Sequence, residues 1–175
     1  MEIIFYITSG IALLATLMVI TRLNAVHALL YLTVSLLSIG LIFFIMGAPF
    51  AAALEVIIYA GAIMVLFIFV IMMLNLGMEA VKSERKLLSA RVWIGPSVLV
   101  LILGAEFIYI LYLRNGQPHT PAVVSAKQVG ISLFSAYMLG VEMAGLLLIA
   151  GIIGAYHLGY TGRRNYHRFL KGGPE

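Results

Sequence analysis

Between Arg22 and Glu55 the chain runs for 32 residues without a charged side chain, and a second uncharged run follows from Val56 to Leu76. As one α-helix this stretch would be more than twice as long as a bilayer's hydrocarbon core is thick, at about 1.5 Å per residue against roughly 30 Å. It must fold back on itself, and the breaker it contains is Gly47-Ala48-Pro49. A soluble domain is excluded by the same scarcity of charge. Hydrophobic residues make up 63% of the 175 and charged residues only 10%, where about 25% charge is usual.

Applied to the rest of the chain, this logic predicts an all-α, polytopic membrane protein forming one membrane domain over residues 1–175. Five helices are expected, at about 3–21, 26–46, 51–76, 93–113 and 131–158. A charged loop, 77–92, joins helices three and four. A Pro- and Gly-punctuated loop, 114–130, expected to be extended, joins helices four and five, and a basic tail covers 159–175. The first run has no basic residues ahead of it and no small-residue cleavage pattern after it, so it reads as a retained helix rather than a signal peptide.

An odd number of spans puts the termini on opposite sides, and the basic residues then sort. Nine lie on one side: Arg22, Lys82, Arg85, Lys86, Arg91, Arg163, Arg164, Arg168 and Lys171. Two, Arg114 and Lys127, lie on the other. Positive charge accumulates on the cytoplasmic face, which predicts the N-terminus outside and the C-terminus inside. Topology thus accounts for the basic balance, and no nucleic-acid partner is expected. The sequence contains no cysteine, which excludes disulfides, thiolate-bound zinc and cysteine-ligated iron–sulfur clusters.

Three carboxylates fall within the predicted spans: Glu55, Glu106 and Glu142. None of these spans contains a Lys or Arg to pair with them. A charge at the bilayer centre costs about 2.5–3.5 kcal/mol even on the lenient insertion scale. Each must therefore be protonated, meet water in a cavity, or meet a group from another subunit. Glu55 falls four residues into helix three and Glu142 eleven residues into helix five, the latter near mid-membrane. Glu106 reads equally as a protonated or snorkelling residue without function.

Tyr59 follows Glu55 by one turn on the same face, where a carboxylate and a phenol can hold a water or pass a proton. It can also be packing filler, its hydroxyl bonded to a backbone carbonyl. Gly61, between Ala60 and Ala62, weakens the helix just before bulky Val65, Ile68, Val70 and Ile71. That combination suits a kink or π-bulge, or else close packing of a neighbouring helix on small residues. Helix five carries Ala150/Gly154 and Gly151/Ala155 at i, i+4 spacing, a generic helix-contact signal. His27 and His157, both near helix ends, make a bis-histidine haem conceivable but are more simply interfacial. No catalytic residue set, metal-ligand cluster or phosphate loop is present, so no covalent chemistry is expected of this chain alone.

The segment 24–76, NAVHALLYLTVSLLSIGLIFFIMGAPFAAALEVIIYAGAIMVLFIFVIMMLNL, closely resembles the J-type membrane subunit of proton-pumping NADH:quinone oxidoreductase, respiratory complex I. Residues 125–151, SAKQVGISLFSAYMLGVEMAGLLLIAG, are similar to that family's last helix. The resemblance implies a chain with no redox cofactor of its own, in an enzyme whose FMN, iron–sulfur clusters, NADH and quinone are held by partner subunits. It implies neighbours at the quinone-bearing end of the membrane arm and among the antiporter-like pumps, in a bacterial inner membrane. It further implies a π-bulge in helix three around Tyr59 to Val65 that interconverts with regular helix. Glu55, Tyr59, Gly61, Val65 and Glu142 then become proton-path or switch candidates, while no role carries over to Glu106. A subunit of a multi-subunit cation/proton antiporter or membrane-bound hydrogenase is the alternative, and an independent small transporter a more distant one.

Overall fold

The computed structural model describes residues 2–74, 90–114 and 123–160, and it is helical throughout those segments apart from turns. Helix α1 spans Glu2–Thr21 and α2 spans Ala25–Ile45. Helix α3 is one continuous rod from Pro49 to Leu74. Helix α4 spans Ala90–Arg114, with Pro96 inside it, α5 spans Ala126–Phe134, and α6 spans Met138–Gly159. Five stretches are long and apolar enough to cross a bilayer: α1, α2, α3, Trp93–Leu113 of α4, and α6. The protein is thus a multi-pass membrane chain, all-helical among the described residues.

The described residues fall into two compact units, one up to Ala126 and one from Lys127 onward. The core of the first unit comes from α1, α2 and α4: Ile11 and Ala15, Val34 and Leu41, Leu103 and Ile110. Phe44 and Phe107 extend it, with ring centroids 5.7 Å apart in an edge-to-face arrangement. Lipid tails are as apolar as these side chains, so van der Waals fit and interhelical hydrogen bonds hold the helices together. The hydroxyls of Thr16 and Ser35 lie 2.8 Å apart across the α1–α2 contact.

Each turn in this unit has a local chemical cause. Asn24 caps α2, its Oδ1 accepting from the backbone N–H of Val26 at 3.0 Å and of His27 at 3.4 Å. Arg22 lies over the Tyr31 ring, 5.3 Å from its centroid, and the Tyr31 hydroxyl fills the place where a side chain at Gly95 would stand. The fold-back between α2 and α3 is the Gly47-Ala48-Pro49 step. Gly47 adopts φ 84°, which a side chain would disfavour, and Pro49 opens α3 with a ring already set for helix. The Gly47 carbonyl accepts from Val124 N–H at 3.0 Å.

The last span departs from expectation. A single helix over 131–158 was anticipated, after an extended 114–130. Instead α5 already occupies 126–134, a turn follows, and α6 begins at Met138. The Ser135 hydroxyl donates to the Ile131 carbonyl at 2.6 Å, and Tyr137 N–H reaches back five residues to Ser132 O. A serine that takes over a helix carbonyl loosens the backbone ladder at that point. Helix α4 also starts earlier than anticipated, at Ala90. Most of the 77–92 loop, residues 115–122 of the 114–130 loop and nearly all of the basic tail lie outside the described residues.

Candidate functional site

Helix α3 changes its winding along its length. Pro49–Leu54 is α-helical, Glu55–Ile63 is π-helical, and Met64–Leu74 is α-helical again. The hydrogen bonds show the change. Glu55 N–H is directed to carbonyls three and four residues back, Ala52 and Ala51. Met64 N–H is directed to Tyr59 O, five back, and to Gly61 O. Three of the sequence candidates, Glu55, Tyr59 and Gly61, therefore lie on one nine-residue wide turn. It begins four residues before the Tyr59–Val65 region anticipated for a bulge, and it ends two residues short of Val65.

The wide turn decides which side chains face α2. Ala52 and Met64 are the two buried residues of α3, Met64 with only 2% of its surface exposed. They are twelve positions apart. In an α-helix of 3.6 residues per turn, twelve positions leave two side chains about a third of a turn apart, whereas eleven nearly align them. Regular winding would therefore turn Ile63 toward α2 in place of Met64. The extra residue in the π segment is what lets Ala52 and Met64 share a face.

Gly61 has a specific place in this geometry. A Cβ there would lie 3.2 Å from the Val56 carbonyl oxygen, with no other contact within 4 Å. Its smallness serves the helix's own five-residue turn, and the alternative of a neighbouring helix packed on Gly61 finds no support in the described residues. The upper end of the wide turn is seated on Gly40 of α2. A Cβ at Gly40 would meet Val56 Cγ2 at 3.3 Å, Ala52 O at 3.6 Å and Glu55 Cγ at 3.8 Å. An apolar cavity of about 580 Å³ opens beside this seat, lined by Gly40, Val56, Ile57, Gly104 and Phe107 among others.

Glu55 is half-buried, and Tyr59 is 49% exposed. No hydrogen bond joins the two among the described residues, so any exchange between them runs through an intervening molecule. Val65, 48% exposed, stands on the regular helix just past the wide turn. Glu142 belongs to the second unit. It is exposed on α6, one turn past Met138 rather than three turns into a helix. A Cβ at Gly151 or Gly154 of α6 would touch nothing within 4 Å among the described residues. His27 lies just past the α2 cap and His157 in the last turn of α6.

Two features escaped the sequence reading. Gly40 and Ala52 form the seat of helix α3, and small residues facing each other across the Gly47 turn were the signal available for it. The other is Glu106, whose Oε2 lies 2.9 Å from Thr8 Oγ1, a contact between residues 98 positions apart.

With this geometry in place, similarity to known proteins adds a family. Residues 15–158 match the family described as NADH-ubiquinone/plastoquinone oxidoreductase chain 6. The chain is 56% identical over 162 residues to the NADH-quinone oxidoreductase subunit J of Pseudomonas aeruginosa, covering 91% of this chain and 96% of that one. To subunit J of Escherichia coli K12 it is 54% identical over 159 residues, covering 91% and 86%. A subunit J of Buchnera aphidicola (subspecies Schizaphis graminum) is 51% identical over 159 residues.

Proposed function

Because the chain belongs to the NADH-ubiquinone/plastoquinone oxidoreductase chain 6 family, the subunit J family of NADH-quinone oxidoreductases, we propose that it couples NADH-to-quinone electron transfer to proton translocation through a change of winding in α3. The observation that carries this reading is the π-helical segment Glu55–Ile63 with Gly61 at its tight point. A π segment is metastable against regular helix and recurs at functional sites. Removing its extra residue would turn Met64–Leu74 by about 100° against Pro49–Leu54. The cavity beside Val56 and Ile57 gives such a movement room.

In this reading the chain is a non-catalytic subunit without a redox cofactor. Flavin, iron–sulfur clusters, NADH and quinone belong to its partners, which are the quinone-end subunits and the antiporter-like pumps. Glu55, Tyr59 and Glu142 are polar stations of a hydrated proton route, and rotation of Val65 and its neighbours opens or closes that route. The nine-to-two sorting of basic residues supports an N-terminus outside and a C-terminus in the cytoplasm of a bacterial inner membrane. A C-terminal reporter that works only in the cytoplasm tests the orientation, and an inactive reporter on a folded chain rejects it.

Three substitutions in the assembled complex test the switch. Gly61→Leu places a branched side chain against the Val56 carbonyl and should lower coupled NADH:quinone turnover and proton pumping at least tenfold. NADH oxidation by an artificial acceptor should survive. Tyr59→Phe and Glu55→Gln keep shape and remove a hydroxyl or a titratable group, and each should lower pumping about two- to fivefold with normal assembly. Wild-type pumping in both isosteric variants sinks the proton route. Wild-type pumping in Gly61→Leu sinks the winding change.

A further inference from the structure

Helix α5 is too short to cross a bilayer, and a turn sets it apart from the span that follows. Its nine residues, Ala126–Phe134, extend about 13 Å, against a hydrocarbon core of roughly 30 Å. Helix α6, Met138–Gly159, extends about 33 Å and crosses that core without help from α5. The turn at Ser135–Tyr137 therefore stands at an edge of the hydrocarbon. Tyr137, 65% exposed, occupies that turn, and tyrosine is enriched at membrane–water boundaries.

The other end of α5 is held at an edge as well. Two residues before the helix, Val124 N–H donates to the Gly47 carbonyl at 3.0 Å. Gly47 stands in the turn between α2 and α3, whose 21 and 26 residues each reach across the core. A helix as short as α5 does not bridge from one membrane face to the other, so both of its ends lie at the same edge. A helix that begins and ends at one edge runs along the membrane surface.

Its sequence suits that position. Ala126, Val129, Gly130 and Leu133 recur at i, i+3, i+4 and i+7 and form one apolar face. Gln128 is on the opposite side, where Ile131 is the exception to the pattern. Lys127 and Phe134, seven positions apart, share one flank. From a flank, a lysine lays its stem along apolar surface and carries its ammonium to the polar boundary. A helix divided in this way buries its apolar face about 5–10 Å into the boundary between headgroups and acyl chains.

We infer that α5 is an interfacial helix that binds the phospholipid of one leaflet. The face with Leu133 lies among the upper acyl carbons, Lys127 lies at the phosphates, and Gln128 points away from the lipid. Two features make lipid the occupant of this face rather than a helix of a partner subunit. Lys127 complements phosphate in charge, and exposed Phe134, Met138 and Leu139 continue the apolar surface into the membrane span of α6. The break at Ser135–Tyr137 is then the bend where the chain passes from the surface into the core. This assignment needs neither a winding change in α3 nor a particular orientation of the termini.

Photocrosslinking in the assembled complex tests it. The benzophenone of p-benzoylphenylalanine adds, when illuminated, to C–H bonds within its reach. It is placed at Leu133, at Phe134 or at Gln128 of an epitope-tagged chain, in native membranes of cells grown on radiolabelled phosphate. The Phe134 variant keeps an aromatic ring and serves if the Leu133 variant does not assemble. After illumination the complex is denatured, and the size and label of the tagged chain are read on a gel. The expected result is at least about fivefold more phospholipid label at Leu133 or Phe134 than at Gln128, on a chain of nearly unchanged size. A crosslink to another polypeptide in place of lipid at both positions, equal label at all three, or no lipid adduct at Leu133 and Phe134 overturns the assignment.

Discussion

The α1–α2–α4 bundle and helix α3 are both apolar membrane helices, yet they treat their polar groups in opposite ways. In the bundle, hydroxyls bond inward: Thr16 to Ser35, Ser38 to the Val34 carbonyl, and Thr8 to Ile4 and Glu106. Along α3, Glu55 and Tyr59 have no such partner among the described residues, and the π segment has no buried residue. The bundle behaves as a frame, because moving one of its helices breaks several contacts at once. Helix α3 meets the frame through Ala52, Met64 and the Gly40 seat, and no residue of the wide turn between them is buried. A polar group left open on a loosely held element is suited to change its surroundings.

Breaking the seat should give the largest effect. Gly40→Leu drives a branched side chain into Val56, Glu55 and the Ala52 carbonyl, where even a methyl group is tight. Overpacking of this kind costs about 1–3 kcal/mol. Assembled complex on a native gel should fall roughly tenfold, and normal abundance would mean that α3 is not seated there.

A sharper and smaller test reads the winding itself. With the π segment in place Met64 is the buried residue, so Met64→Ala should cost about 2 kcal/mol or more. Ile63→Ala should cost clearly less. Thermal stability of the assembled complex measures both, and the reverse order would mean that regular helix predominates in the membrane.

The smallest effect belongs to the frame's hydroxyls. Thr16→Val keeps the shape and removes the contact with Ser35. Interhelical hydrogen bonds in membranes average about 0.6 kcal/mol. Abundance and pumping should stay within about twofold of wild type. A large loss of pumping alone would place Thr16 and Ser35 on a proton route and erase the contrast between the two regions.

The number of spans and the fold-back were legible in the sequence because charge spacing and Gly47-Ala48-Pro49 are local signals. Around Gly61 the local pattern left a loosened winding and close helix packing both open, and the π-bulge was expected only from the family resemblance. The start of the wide turn at Glu55 was not legible, since it depends on which residue α2 buries, Met64 or Ile63. The break at Ser135–Tyr137 contains neither Gly nor Pro, and it rests on one hydroxyl that many helices tolerate. Glu106 was read as a solitary carboxylate because α4 is apolar all round, so periodicity gives no inner face to place it on. Only the fold brings Thr8 to it.

The Gly47 turn bears on where motion can go. Helix α3 is held at its upper end by Pro49, by the Gly47 step and by the Gly40 seat. In the proposed change of winding, rotation at Glu55–Ile63 would drive the eleven residues from Met64 to Leu74. Turning them by about 100° at a radius of about 5 Å sweeps their side-chain tips through an arc of roughly 9 Å. The axial shift is only about 1.5 Å. The proposed rewinding would thus act as a swivel rather than a piston, exchanging the side chains shown to one neighbour while leaving the thickness of the membrane undisturbed.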